Sequence, residues 1–146
     1  MSVSAPARTL ARERAMQFLF SIAFTNYDWR EVMEEFWESN PSRPNVRKYG
    51  EMLITGINEK IGAVEDALIR ALKGWRPERV GRVEWAILQV AAYEILFVKD
   101  VPPRVAIDEA IELAKRYAPA EGATFINGVL DGVMHTAERH GQTNLD

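Results

Sequence analysis

Two arginines four residues apart, Arg8 and Arg12, open the first helix-forming stretch of the chain, a spacing that puts both guanidiniums on one side of a helix. Paired cations on a helix end can neutralise phosphates, or can simply keep a protein in solution. Arg14 falls on the other flank of the apolar stripe. Residue types that perform catalysis are arranged less favourably. The histidines, His135 and His140, are five apart, so they share no helical face and offer no two-point grip on a metal. Asp108, Glu109 and Glu112 lack the Glu-x-x-His partners of bundle metal sites and read as a solvated face, with Glu112 pairing to Arg116 at i,i+4. No serine has a base nearby in sequence, cysteine is absent, and no glycine-rich loop would cradle a phosphate. The expected chemistry is binding without catalysis, cofactor or metal.

Composition bounds the kind of binding. A net charge of −3 argues against an indiscriminate nucleic-acid binder, because nonspecific affinity comes mainly from cations that displace the counterions around phosphate. Clusters still act locally, since screening at physiological salt sets in over about 8 Å. The 146 residues, 47% of them apolar, suffice for one domain or for two small bundles sharing an interface. No apolar run reaches the roughly 18 residues of a membrane span, because Gln89 and Glu94 interrupt Trp85 to Val98. The start, MSVSAPART, lacks the hydrophobic segment of a secretory signal, so the expectation is a cytoplasmic protein.

The elements that must position these residues are helical throughout, because apolar positions recur at three and four and nowhere alternate as in a strand. The expected fold is all-α, about seven helices in two small bundles packed as one domain, residues 1–76 and 77–146. The first helix runs from about Arg8 to Phe24 with a core stripe of Ala11, Ala15, Phe18, Leu19 and Ile22. A short acidic helix lies near Trp29 to Ser39. After the NPSRPN breaker, Pro44 opens a long helix whose stripe runs unbroken from Val46 to Leu72, ending at Gly74. A helix from about Arg82 to Val98 is apolar on nearly every side and must be central. Pro102 and Pro103 start the next helix and Pro119 ends it. The last spans about Ala123 to Arg139, with a frayed tail from His140.

Six further positions stand out. Met16, Phe20 and Phe24 project roughly opposite the core stripe of the first helix, so something should cover them: the second half of the chain, a partner protein or a second copy. Asn127-Gly128 sits inside a helical pattern, which outweighs its turn propensity. Gly128 then suggests close helix approach, and Asn127 a bond to neighbouring backbone. Glu94, in the most apolar helix, needs a paired or hydrogen-bonded environment.

The segments Ala11 to Phe20 (ARERAMQFLF), Val83 to Leu96 (VEWAILQVAAYEIL), Val101 to Lys115 (VPPRVAIDEAIELAK) and Phe125 to Leu130 (FINGVL) together resemble the NusB family of bacterial transcription antitermination factors. The resemblance covers nearly the whole chain. It implies a helical fold of two small bundles that binds single-stranded boxA RNA with NusE, a ribosomal small-subunit protein, and joins the elongating RNA polymerase complex. It places RNA contacts at Arg8, Arg12, Lys115, Tyr117, Glu121, Thr124 and Phe125, and partner contacts at Phe20 and Glu84. Phe20 is also the outward residue marked by spacing, flanked by Met16 and Phe24. Thr9, Leu10 and Thr124 stand where some relatives carry cations, so RNA affinity alone is expected to be weak, and Phe20 lacks the hydroxyl with which a tyrosine would hydrogen-bond the partner. The same fold resembles the N-terminal portion of certain ribosomal RNA cytosine methyltransferases, but no cofactor-binding α/β domain or catalytic cysteine accompanies it here.

Overall fold

A computed structural model describes the backbone of residues 3–144 and side chains as far as residue 138. Helix α1 (Ala5–Ile22) begins three residues earlier than the apolar stripe suggests, because Ser4 caps it and Pro6 suits the first turn. Phe24 therefore lies just beyond the helix. Asp28 caps α2 (Trp29–Ser39) by accepting from the Arg30 amide at 3.0 Å.

The long third helix of the sequence reading is two helices, α3 (Pro44–Glu59) and α4 (Ile61–Ala71), broken at Lys60 with φ −110° and ψ 24°. The Lys60 amide donates to Gly56 at 2.9 Å and its carbonyl accepts from Val64 at 3.0 Å, so the last bond of α3 and the first of α4 meet at this one residue. From there α3 lies along α1 while α4 turns to bury Val64 and Leu68 against α5 and α7. Lys73 and Gly74, both at positive φ, end α4 and lead to a 3₁₀ turn, Pro77–Arg79.

Helix α5 (Arg82–Phe97) is the axle of the fold. Every residue from Ala86 to Ala92 is buried, and the helix touches α1, α3, α4, α6 and α7. Around it close α6 (Pro103–Tyr117) and α7 (Gly122–Asn144). Helix α7 continues to Asn144, past the expected end at Arg139; the side chain of His140 lies outside the described residues. One apolar core draws on all seven α-helices, α2 through Trp37. The close helix approach falls at Gly56, where the Tyr93 ring occupies the place of a Cβ. Gly128 and Asn127 are exposed and a Cβ at Gly128 would meet nothing within 4 Å, so the FINGVL glycine marks no packing contact.

Candidate functional site

The arginine end of α1 is built differently from a pair of free cations. Arg12 is 4% exposed. Its Nε donates to both Glu94 oxygens at 2.7 and 2.9 Å, an Nη donates to Glu109 at 3.0 Å, and the Tyr49 hydroxyl donates to Glu94 at 2.5 Å. Burial alone would pull the Arg12 guanidinium down, but Glu94 and Glu109 more than offset it and hold the charge. Burial also pushes the Tyr49 phenol up, reinforced by the Glu94 charge. The expectation of a phosphate contact at Arg12 is thus corrected: the carboxylate that Glu94 required arrives paired with this residue, which cannot reach RNA without opening a buried ion pair.

Arg8 is the less buried member, its side chain 15% exposed. It lies 4.6 Å over the Tyr49 ring and donates to Asp100 at 2.8 Å. That hydrogen bond holds the Asp100 carboxyl below the usual range. A depressed carboxylate pKa means the pair is intact above the ordinary Asp range and opens only as pH falls through the lowered value. A shallow depression lined by Val3, Arg8, Thr9, Asp100 and Val105 lies beside it.

Of the carboxylates of α6, Asp108 and Glu112 lie on a solvated face, Glu112 paired locally with Lys115 rather than Arg116, whereas Glu109 turns to α1. Glu109 accepts from Thr9 at 2.6 Å as well as from Arg12, Glu112 meets Lys115 at 3.1 Å, and Arg116 reaches across to Glu13 at 3.4 Å. Tyr117 donates to Glu13 and accepts from Gln17 at 3.3 Å; the Glu13 bond pushes its phenol up. Lys115 and Tyr117 remain exposed at the end of α6, with Tyr117 against α1. His135 is occupied within its own helix, its Nδ1 2.8 Å from the Asp131 carbonyl oxygen.

The outward aromatic stripe divides by burial. Met16 is 2% exposed and belongs to the core, which corrects its place in an accessible ridge. Phe20 is half-buried and Phe24 75% exposed, and the Arg82 guanidinium covers both at 4.7 and 4.5 Å from the ring centroids. Phe24 and Arg82 share a surface groove with Val80 and Trp85.

Glu84, Glu121, Thr124 and Phe125 come together in one groove, although the first is distant from the others in sequence. The groove also holds Trp75, Arg79, Val80 and Gly81, which sequence reasoning missed. Trp75 carried one legible signal, an aromatic placed directly after the glycine that stops α4. Val80 lines this groove and the Phe24 groove alike, so the two surfaces adjoin through a single turn.

The chain matches the NusB family model over residues 9–135. It is 38% identical to the transcription antitermination protein NusB of Sorangium cellulosum over 96% of this chain and 98% of that protein. Identity to the protein of the same name in Clostridium acetobutylicum is 34%, over 90% and 97%. Among solved structures, T. maritima NusB superposes with a TM-score of 0.80 at 33% identity, covering 88% of this chain and 90% of that one. The fold is also that of NusB in a complex of NusB and NusE with double-stranded RNA, TM-score 0.82 at 22% identity, over 91% and 99% of the two chains.

Proposed function

The chain belongs to the NusB family of transcription antitermination proteins, and from that premise we propose that it binds single-stranded boxA-type RNA jointly with NusE and joins the elongating RNA polymerase in the cytoplasm, notably on ribosomal RNA operons. The observation that carries the joint binding is the shared Val80 wall: a protein seated on Phe24 and Arg82 adjoins a nucleic acid seated at Phe125. The NusB and NusE assembly on RNA built on this fold supports the pairing of partners. Phe20, Phe24 and Glu84 are the protein contacts. Arg8, Lys115, Tyr117, Glu121, Thr124 and Phe125 are the RNA contacts, with guanidinium and ammonium on phosphate and aromatic faces on unpaired bases. Among the described residues no helix is long and apolar enough to cross a membrane.

Arg8 can reach a phosphate only by exchanging Asp100 for it, because its guanidinium now donates to that carboxylate. Titration of a boxA-type RNA with and without NusE is expected to show tighter binding with the partner. Arg8→Ala should weaken binding and lower the slope of log affinity against log salt by about one unit. Asp100→Asn should strengthen it, since a competing anion is removed. No gain with NusE, or Arg8→Ala binding as the wild type does, overturns the reading. A Phe20→Ala variant that loses a homodimer in light scattering while keeping NusE and RNA would reassign the aromatic ridge to self-association.

A further inference from the structure

Trp75 stands outside the residues the family likeness assigns, yet 60% of it is exposed in the connection that leaves α4. It is not singly exposed: with Phe125, Val80 and Pro119 it forms a contiguous, mainly apolar groove wall, the kind of surface that marks a contact site. Its ring meets Phe125 at 5.5 Å between centroids and 64° between planes, a step rather than a stack. A flat third ring can lie parallel to one wall of such a step while its edge meets the other. Around the step lie the carboxylates of Glu84 and Glu121, the hydroxyl of Thr124 and the Arg79 guanidinium. Among the described residues, none of these four side chains is hydrogen-bonded or ion-paired.

The lining also decides what can enter. Two glutamates against one arginine disfavour a phosphate in the groove, whereas acceptor oxygens attract the N–H donors on the edge of a neutral base. We propose that the Trp75 and Phe125 step receives a single unpaired, amino-bearing base of the RNA, stacked on Trp75 with its edge on Glu121, while Arg79 faces the flanking backbone. The inference rests on the RNA-binding reading above and adds to it a base-specific subsite. A sequence-tolerant stacking surface would need no carboxylates; these favour an amino-bearing base over uracil, whose single edge donor, N3–H, is flanked by two carbonyl oxygens that a carboxylate repels.

The test uses the full chain with NusE and a boxA-type RNA in which one abasic site is moved along the strand. In the wild type one position should cost roughly 5- to 150-fold in affinity, the range for a single stacked base. Trp75→Ala should lower affinity for the intact RNA by a similar factor and abolish the penalty at that position alone. Trp75→Phe, which keeps a stacking face, should retain most of the affinity. Uracil placed there should bind less tightly than an amino-bearing base to the wild type, and equally to Glu121→Gln. Trp75→Ala binding like the wild type, or losing affinity evenly at every position, overturns the subsite and leaves joint RNA binding intact. Loss of NusE affinity in Trp75→Ala without RNA present makes the groove a protein contact and overturns it too. Failure of the wild type to bind RNA even with NusE removes both readings.

Discussion

Replacing Glu94 with alanine is expected to destabilise the protein by about 3–5 kcal/mol, the cost of removing one member of a buried ion pair and leaving the other charged. Glu94 is fully buried on α5, and it accepts from Arg12 twice and from the Tyr49 hydroxyl once. Its removal leaves the Arg12 Nε and the Tyr49 hydroxyl buried without acceptors, while Glu109 still holds one Arg12 nitrogen. At roughly 2–4 °C per kcal/mol for a chain of this size, the melting temperature should fall by on the order of 10 °C. Urea and thermal denaturation followed by circular dichroism give the measurement. A loss below about 1 kcal/mol, the size of an exposed pair, would mean that water reaches the site and that Arg12 is available to phosphate after all. The triple variant Arg12→Met, Glu94→Leu, Tyr49→Phe separates the pair's worth from the cost of breaking it. With these three replaced by apolar residues, and the partly exposed Glu109 left to Thr9 and water, stability should return to near that of the wild type.

The same pair shows where sequence reading succeeds and where it stops. A carboxylate inside an otherwise apolar helix must have a partner, and that need was legible at Glu94. The partner's identity was not, because the bond joins positions 82 apart and no local spacing records it. Arg12 has the spacing of a surface cation beside Arg8; only the fold, by laying α5 against α1, makes it an interior one. Asp100 as the anchor of Arg8 is hidden from sequence for the same reason.

Helix existence was legible because it rests on periodicity, and the Pro44 and Pro103 starts because proline favours a first turn. The break at Lys60 left no trace. Lys60 is an ordinary helix former and the apolar stripe continues through Ile57, Ile61 and Val64, so neither a breaker residue nor a lapse in pattern marks the place. The NG step misled in the opposite direction: a glycine in a helix suggests a close neighbour, but the neighbour is at Gly56. At the candidate site, Phe125 and Glu84 were named from likeness. The groove that joins them needed the turn at Lys73 and Gly74, which swings Trp75 onto Phe125.

Met16 and Phe24 should respond oppositely to truncation, although the helical wheel puts them on one stripe. Helix α1 packs on α3 and on α5 at once, so its buried arc is wider than a single neighbour would make it and takes in Arg12, Met16 and Leu19 along with Ala11, Ala15 and Phe18. Met16→Ala is therefore a core truncation and should cost about 2–5 kcal/mol, with partner affinity unchanged once the fraction folded is allowed for. Phe24 lies past the end of α1 and is 75% exposed, so Phe24→Ala should alter stability by no more than about 0.5 kcal/mol. If Phe24 anchors the NusE contact, its loss should weaken that complex by about 30-fold, the signature of an interfacial hot spot. Arg82 links the two measurements, because its guanidinium covers Phe24 in the free protein and must either remain on the ring or move aside when a partner docks. Calorimetry on the Phe24→Ala, Arg82→Ala and double variants decides this: additive losses mean that each contacts the partner separately, and a double loss equal to the single ones means that they act as one unit. A stability loss in Phe24→Ala as large as that in Met16→Ala would place both rows of the stripe in the core and remove the ridge from the interface.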